Sequence, residues 1–413
     1  MTRAPGRQEA PPVTLRAIAP SVFLPALVYE IGDGAIAPVI ALTALDVGAS
    51  PGTAGFMLAL LGIGQILGDV PAARIADRIG DRRAMMLAAG VALVALVGCF
   101  LATTPLLLGA ALLLIGGANS TYYLARQSYL TEVAPVHLRA RAMSTLGGSH
   151  RIGLFIGPFL GAWAIHLGGL RGAYVVAMVA VTASAVLLTV VPDVDTGDAA
   201  AAPPRGTVSS WQMVRVYKGL FATLGLAVFA VGAVRAARQT VLPLWAEHLG
   251  LSASTTSLVF GVASAVDMAL FYPSGRVMDR YGRLAVAVPS MLVLGGAMIA
   301  LPATHGVVTL AVVAMIMSFG NGIGSGIMMT LGADTAPAEG RSRFLAVWRL
   351  FSDSGNAAGP VVVSVVALAT TLAVGIGAIG SVGLLAAAGL GVWVPRYSAF
   401  ATRRSTLAHR AAP

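Results

Sequence analysis

Twelve stretches of about 20 apolar residues follow one another along the chain, each long enough to cross a bilayer as a helix. Only 11% of the 413 residues are charged, whereas soluble globular domains carry roughly 25%. We therefore expect an all-α integral membrane protein. The predicted spans, numbered 1 to 12, cover 18–44, 52–75, 84–103, 106–131, 142–166, 172–191, 216–246, 253–275, 284–302, 306–332, 342–368 and 372–395.

The segment between spans 6 and 7 is polar and rich in alanine and proline, which indicates a linker between two halves of six helices. With both termini in the cytoplasm, 21 of the 27 Lys and Arg residues lie in cytoplasmic segments and one lies outside. The positive-inside rule therefore predicts that both termini are cytoplasmic. We expect the protein to lie in the inner membrane of the cell. These cytoplasmic basic residues account for the net charge of +10, which therefore does not indicate a nucleic-acid partner. The predicted regions are an N-terminal tail (1–17), bundle one (18–191), a linker (192–215), bundle two (216–395) and a C-terminal tail (396–413).

The two halves repeat each other at a constant interval of 202 residues. This interval separates Asp77 from Asp279, and Gly80 from Gly282. Parallel repeats related by an axis along the membrane normal are typical of transporters, whereas channels and membrane enzymes need no such repeat. Further pairs at the same interval are Gly48 and Gly250, Pro71 and Pro273, and Asn119 and Asn321.

Two short loops contain a charged motif, which reads "ARIADRIGDRR" between spans 2 and 3 and "GRVMDRYGRL" between spans 8 and 9. They resemble the G-x-x-x-D-R-x-G-R-R loop signature of the major facilitator superfamily, and the resemblance runs through nearly the whole chain. It implies twelve helices in two pseudo-symmetric six-helix bundles, and transport by alternating access. The first loop departs from the signature, because Ala73 replaces the leading glycine and Asp81 an expected arginine.

The resemblance also implies that these loops hold the bundles together on the cytoplasmic side. We expect Asp77 to meet the N-terminal end of span 11, and Arg78 and Arg82 to reach Glu132. The corresponding residues of bundle two are expected to contact span 5. The alternative is a short turn with no gating role, which we favour for the arginines taken alone. The predicted cytoplasmic gate comprises Asp77, Arg78, Gly80, Arg82, Arg83, Glu132, Asp279, Arg280, Gly282, Arg283 and Asp334.

Span 5 contains "GLFIGPFLG", which matches the G-x-x-x-G-P-x-x-G signature that the superfamily associates with export by antiport. Glycine and proline allow close helix packing and a bend, so packing alone is the alternative interpretation. The resemblance favours export over uptake. The signature residues are Gly153, Gly157, Pro158 and Gly161.

Two acids in span 1, Glu30 and Asp33, lie three residues apart on nearly one helix face and repel each other. A charge at the bilayer centre costs at least about 2.5–3.5 kcal/mol, so such residues are expected to face a cavity and to pair. Spans 1 and 4 line the cavity in the superfamily, which implies that one of these acids couples to protons with Arg126 as its partner. Static pairs that hold the helices in register are the alternative. The sequence leaves open which acid carries the proton.

The remaining polar residues of the spans are candidate substrate contacts. Arg349 and Asp353 are one turn apart, and a local pair is the simpler interpretation. A hydrogen-bonded helix histidine is the simpler interpretation of His150, and bonds between helices that of the two repeated asparagines. The predicted cavity residues are Asn119, His150, Arg151, Arg235, Arg238, Asp267, Asn321, Arg349 and Asp353.

The sequence contains no P-loop, Rossmann fingerprint, zinc-ligand cluster or nucleophile elbow, which argues against an enzyme, a bound metal or cofactor, and ATP-driven transport. We expect secondary active, proton-coupled export of drugs or small metabolites by a monomer. Its partners would be the small-molecule substrate, protons and the lipid bilayer. The alternative is an uptake symporter, or a lipid-type amphiphile transporter, whose substrate has an anionic group. The surplus of arginines favours this alternative.

Overall fold

The computed structural model describes residues 19–134, 139–191, 210–337 and 341–411, and these ranges form helices with no β-strand. The helices occupy the positions of the twelve predicted spans, and ten or eleven of them are long and apolar enough to cross a membrane, which confirms the predicted all-α membrane fold. The predicted N-terminal tail and most of the predicted linker lie outside the described residues.

Bundle one contains spans 1 to 6, and its first span is bent by 40° between two helices. Spans 2 and 4 each begin with proline directly after a capping residue. Proline is favoured at the first position of a helix because an N–H there would have no helical partner. The hydroxyl of Ser50 accepts the N–H of Thr53 at 3.2 Å at the first of these caps. The helices are Ala19–Phe23 (a π-helical turn), Leu24–Ile36, Ile40–Asp46, Pro51–Ile79, Asp81–Phe100, Pro105–Val133, Arg139–Gly168 and Arg171–Val190.

Bundle two contains spans 7 to 12, and its span 10 is broken. A single helix was expected over 306–332, but the chain turns at Gly324 to Gly326, where Gly326 has φ +77°. A short helix also occupies the end of the predicted linker, and another lies in the predicted C-terminal tail. The helices are Ser210–Val216, Lys218–Leu220, Phe221–Gly225 (π-helical), Leu226–His248, Ala253–Tyr281, Leu284–Ala300, Leu301–Ala303 (3-10), Val307–Ile323, Ile327–Thr335, Arg341–Ala369, Leu372–Tyr397 and Arg403–Ala411.

The 202-residue repeat is visible in the packing as well as in the sequence. A Cβ at Gly153 would lie 2.9 Å from the carbonyl oxygen of Leu27, and one at Gly355 would lie 2.1 Å from that of Phe229. Each of these residues in bundle two is 202 positions after its counterpart. Spans 5 and 11 therefore pack against spans 1 and 7 through equivalent glycines.

Among the described helices, ten are long and apolar enough to cross a membrane, and the bent span 1 makes an eleventh. Span 11, Arg341–Ala369, has the length but is more polar. It carries Arg349, Asp353 and Asn356, and Asn356 lines a cavity between the bundles. At Asn356, the polarity of span 11 thus reflects its position next to that cavity.

The bundles contact each other along spans 2 and 11 and along spans 5 and 8. A Cβ at Gly62 would lie 3.0 Å from Cα of Ala357, and one at Gly261 would lie 2.8 Å from the ring of Phe159. Gly62 and Gly261 lie in the halves of their spans that are remote from the two signature loops. The bundles are therefore closely packed at the end of the molecule opposite those loops.

Candidate functional site

A cavity of about 420 Å³ lies between the bundles and is lined by spans 1, 2, 5, 7, 8, 10 and 11. Small-molecule sites typically measure about 300–1,000 Å³. Six of the nine predicted cavity residues belong to the lining, whereas Asn119, Arg349 and Asp353 lie outside it. The polar lining residues are Gln65, His150, Arg151, Arg235, Arg238, Gln239, Thr240, Ser264, Asp267, Asn321 and Asn356.

Glu30 is the fully buried centre of a group of side chains that we call the acidic cluster. Its Oε1 accepts a 2.7 Å hydrogen bond from Nη1 of Arg126, and its Oε2 lies 2.7 Å from Nδ1 of His150. Of the two acids proposed from the sequence as partners of Arg126, the structure pairs Glu30. The cluster comprises Glu30, Asp33, Asn119, Tyr123, Arg126 and His150.

Asp33, the second acid of this cluster, is hydrogen-bonded by neutral groups. Its Oδ2 accepts from the Tyr123 hydroxyl at 2.7 Å and from the Asn119 amide at 3.0 Å. The hydroxyl of Tyr29 donates to Oδ1 of Asn119 at 2.6 Å and so orients that amide. A tyrosine hydroxyl can donate to a carboxylate and accept from a carboxylic acid, whereas an arginine stabilises only the ionised form. Protonation of Asp33 therefore breaks no direct ion pair.

The glycine signature of span 5 packs against the helix that carries both acids. A Cβ at Gly153 would lie 2.4 Å from Cβ of Glu30, and one at Gly157 would lie 2.5 Å from the carbonyl oxygen of Ile31. This close approach allows His150, on the same helix, to reach Glu30. The packing interpretation of the signature therefore has a structural basis. Of the other signature residues, Pro158 lies inside the helix and Gly161 faces Ala35.

A second group of side chains, the arginine cluster (Arg151, Arg235, Arg238, Asp267 and Asn321), surrounds one carboxylate. Oδ1 of Asp267 accepts from Arg151 at 3.0 Å, and Oδ2 accepts from the amide of Asn321 at 2.7 Å. Nη2 of Arg238 lies 3.7 Å from the same Oδ2. The Arg151 and Asp267 side chains are only 18% and 16% exposed. Because Arg151 belongs to span 5 and Asp267 to span 8, their ion pair joins the two bundles.

Arg235 contacts neutral acceptors. Its Nε donates to Oδ1 of Asn321 at 2.7 Å, and its Nη1 lies 3.5 Å from the carbonyl oxygen of Gly324, which the break in span 10 leaves available. Arg238 donates to the Ser318 hydroxyl at 2.6 Å, while its buried Nε has no hydrogen-bond partner among the described residues. Arg151 and Arg238 therefore share the one carboxylate of this cluster, and Arg235 has only neutral partners among the described residues.

The repeat places opposite charges at matching positions of the two bundles. Asp33 and Arg235 are 202 residues apart, and so are Arg151 and Asp353. By contrast, Asn119 and Asn321 keep one role, because each donates its amide to a carboxylate of another span. The bundles share a backbone arrangement, but their cavity walls differ in charge.

Arg349 and Asp353 form the local pair that their spacing allows, with Nε to Oδ2 at 3.2 Å. Sequence reasoning missed a nearby acid, Asp69 of span 2. Its carboxylate accepts from the Ser120 hydroxyl at 2.5 Å, and it interacts electrostatically with Asp353. The signal was present, because Asp69 is an acid within a predicted span, like those that the sequence analysis selected.

The loop between spans 8 and 9 is held within bundle two. Arg283 donates from Nε to Asp334 at 2.9 Å, and its Nη1 lies 3.4 Å from Asp279. The Ser398 hydroxyl also donates to Asp334 at 3.1 Å, and the N–H of Arg283 donates to the carbonyl of Phe400. Arg283 thus reaches both acids within bundle two, while the predicted contacts of Asp279 and Asp334 with span 5 stay predictions, because the side chains at the start of span 5 lie outside the described structure. Arg280 lies over the Tyr281 ring, and Gly282 has φ +92°.

In the loop between spans 2 and 3, Arg82 binds the C-terminal end of span 6. Its Nε donates to the carbonyl of Leu188 at 2.6 Å, and its Nη2 donates to that of Val191. The final carbonyls of a helix lack helical partners and attract a cation, which explains these two contacts of Arg82. The side chain of Glu132 is outside the described structure. Asp77, Arg78 and Arg83 are exposed, and Gly80 has φ +83°.

Comparison with known sequences decides the family. The model of the Major Facilitator Superfamily matches residues 22–360 and 224–409. The chain belongs to this superfamily. It is therefore a member of a superfamily of multi-pass membrane transporters, and the resemblance found in its sequence is confirmed.

Among curated members of the superfamily, the chain is similar to two proteins named multidrug resistance protein MdtG. It is 26% identical to that of Klebsiella pneumoniae (strain 342) over 160 residues, which are 38% of this chain and 39% of that protein. It is 25% identical to that of Enterobacter lignolyticus (strain SCF1) over 170 residues, or 40% and 41% of the two chains. The matches thus cover about two-fifths of these relatives.

Solved structures of other transporters share the fold of the whole chain. A D-xylose-proton symporter superposes with a TM-score of 0.70 at 16% identity, over 95% of this chain and 99% of that one. A bacterial homologue of the human lysosomal transporter Spinster, in an inward-facing and unoccupied conformation, gives 0.68 at 15% identity, over 98% and 100%. At these identities the similarity concerns the fold alone.

Proposed function

We propose that this transporter exchanges protons for drugs or small metabolites and thereby exports them from the cytoplasm. The observation that carries the proposal is the contrast between two acids of span 1. Glu30 is held by Arg126 and lies 2.7 Å from His150, whereas Asp33 is bound by the neutral groups of Tyr123 and Asn119. We assign proton binding to Asp33, and a supporting ion pair to Glu30 and Arg126.

Proton binding at Asp33 would alter the neighbouring contacts. The Tyr123 hydroxyl lies 2.7 Å from Asp33 and 3.4 Å from Glu30, so it is within reach of both carboxylates. Neutralising Asp33 removes the repulsion between the two acids, and it frees the hydroxyl to donate to Glu30. His150 contacts Glu30 and also lines the cavity. A substrate that displaces His150 would therefore act on the same group of side chains.

The proposal places the signature loops in the cytoplasm, as the positive-inside rule predicts. Close packing of the bundles at the opposite end supports a conformation in which the cavity is reached from the loop side. The span 5 signature and the names of the curated relatives support export. These relatives are named for multidrug resistance.

The test is transport by the purified protein in vesicles under an imposed pH gradient, with cationic, neutral and anionic fluorescent dyes. Asp33→Asn should reduce transport of the accepted dye to the rate measured without a gradient, while exchange of dye for dye continues. Asp353→Asn is the matched control, because it removes a membrane carboxylate that is paired locally, and its rate should stay near wild type. Gradient-driven transport by Asp33→Asn at the wild-type rate would refute the assignment.

The second candidate is uptake by proton symport of a compound with an anionic group. The arginine cluster favours it, because three arginines belong to the cavity lining and the lining has only one carboxylate, which pairs with two of them. The same vesicles separate the two functions by direction. An acidic vesicle lumen drives protons outward. A symporter should then carry dye out of the lumen together with the protons, whereas an antiporter should carry dye into the lumen.

A further inference from the structure

We propose that the arginine cluster binds the anionic group of the substrate, so that the transported compounds are organic anions with an apolar body. The inference rests on the proposed transport function, but not on its direction or on proton coupling. It assigns the ligand-binding role to bundle two, opposite the acidic cluster of bundle one.

The cavity lining has an excess of positive charge. Three arginines, one aspartate and no other acid belong to the lining, which leaves a surplus of two positive charges when His150 is neutral. Burial of a charge without a counter-charge is strongly unfavourable. A ligand that brings negative charge would offset this cost.

The acidic cluster does not supply the missing negative charge. Its buried Glu30 is bound by Arg126 and contacts His150. The charged groups that act on Arg235 are Asp267, Arg151 and Arg238, of which only Asp267 is negative. Arg151 and Arg238 already share that carboxylate, at 3.0 and 3.7 Å. Arg235 is therefore the arginine with the greatest unmet need for an anion.

Two arginines of the cluster have N–H donors that are poorly used. Arg235 uses Nε on an amide oxygen and Nη1 in a long contact of 3.5 Å to a backbone carbonyl. Arg238 has a buried Nε without a partner in the described part of the chain. Guanidinium groups bind carboxylates and phosphates through paired N–H donors, so an oxyanion fits this wall of the cavity.

The rest of the cavity determines the other half of the ligand. Apolar residues of both bundles face it, and they are suited to an aromatic or alkyl body. A cationic drug would meet two unbalanced positive charges and should be rejected. These apolar lining residues are Leu58, Leu61, Leu154, Phe260 and Met268.

The experiment is isothermal titration calorimetry of the purified full-length protein with 2-naphthoate, 2-naphthylmethylammonium and 2-naphthalenemethanol, which share one aromatic body and differ in charge. The naphthoate should bind at least about tenfold more tightly than the ammonium compound, a difference of about 1.4 kcal/mol. Arg235→Gln should weaken naphthoate binding about tenfold or more. Arg349→Gln is the matched control, because this arginine lies outside the lining, and it should change nothing.

A second variant covers the case in which Arg235→Gln does not fold. Ala236 lines the cavity beside Arg235, and Ala236→Glu adds a carboxylate while every arginine is kept. It should remove or reverse the preference for naphthoate. Equal or tighter binding of the ammonium compound to the wild-type protein would overturn the inference. So would naphthoate affinity within twofold of wild type in a folded Arg235→Gln or Ala236→Glu variant.

This test is separate from that of the proposed function, because binding needs no pH gradient. Asp33→Asn should keep the preference for naphthoate. If the preference is absent but a cationic dye is exported under a gradient, only the inference about the arginine cluster fails. If the preference is present but a gradient has no effect on transport, only the proton coupling fails.

Discussion

Asp267 is expected to be more important for stability than its partner Arg151, although the two form one ion pair across the bundles. Asp267 is the carboxylate shared by Arg151 and Arg238, with Arg235 close by. Asp267→Asn would leave three guanidinium groups together without a counter-charge. Arg151→Gln removes one of the three cations and leaves Asp267 bonded to Asn321 at 2.7 Å, with Arg238 at 3.7 Å.

The structure sets the size of this difference. Both side chains are less than one-fifth exposed, so removal of the shared anion should cost about 3–5 kcal/mol, the usual range when one partner of a buried pair is deleted. Removal of Arg151 should cost about 1.5–3 kcal/mol, the contribution of a hydrogen bond to a charged group. The free energies of unfolding of the two variants should therefore differ by about 2 kcal/mol.

The measurement is reversible unfolding of the purified protein in mixed micelles, followed by circular dichroism and tryptophan fluorescence. Arg349→Gln and Asp353→Asn provide the control, because they break a local ion pair whose arginine is half exposed and should each cost less than about 1 kcal/mol. If Arg151→Gln destabilises as much as Asp267→Asn, or more, the reasoning from a shared counter-charge is wrong.

Two further predictions concern glycines. Gly157→Ala should destabilise the protein by about 1–3 kcal/mol, because its Cβ would lie about 2.5 Å from the backbone of span 1. Gly148→Ala in the same helix meets no atom within 4 Å, so it should be neutral or stabilising by up to about 1 kcal/mol. Measurement of the free energy of unfolding of both variants checks this. Gly80→Ala and Gly282→Ala should each cost about 1–3 kcal/mol, because both residues have a positive φ with ψ above 150°, a conformation that essentially only glycine adopts. Only the second should also expose the C-terminal segment to protease, because its Cβ would lie 2.7 Å from the carbonyl oxygen of Ala401. Equal cleavage of both variants would contradict this.

Most of the fold could be predicted from the sequence because it depends on local composition. Apolar length identified the spans, and the 202-residue interval identified the two halves. The break in span 10 was missed, although four glycines at alternate positions from Gly320 to Gly326 precede and form it. A run of apolar residues indicates that a segment enters the membrane, but not whether its helix continues through it.

The candidate site was less predictable, because the partner of a charged group depends on how helices are rotated and packed. The sequence allowed Arg126 to pair with either acid of span 1, and packing of span 5 against span 1 also brought His150 to Glu30. The contact of Arg82 with the end of span 6 could not be predicted from its loop motif. The signature loop of bundle two binds its own C-terminal segment, a contact between residues far apart in the chain.

The sequence by itself determined that this chain enters a membrane, that it does so in two related halves, and which ionisable residues enter with it. These properties follow from the cost of transferring each side chain out of water, which depends mainly on residue type. Tertiary structure alone decided which charges neutralise one another. It left Asp33 among neutral donors and Arg235 without a carboxylate, because electrostatic interactions depend on distances of a few ångströms between helices that the chain brings together only on folding.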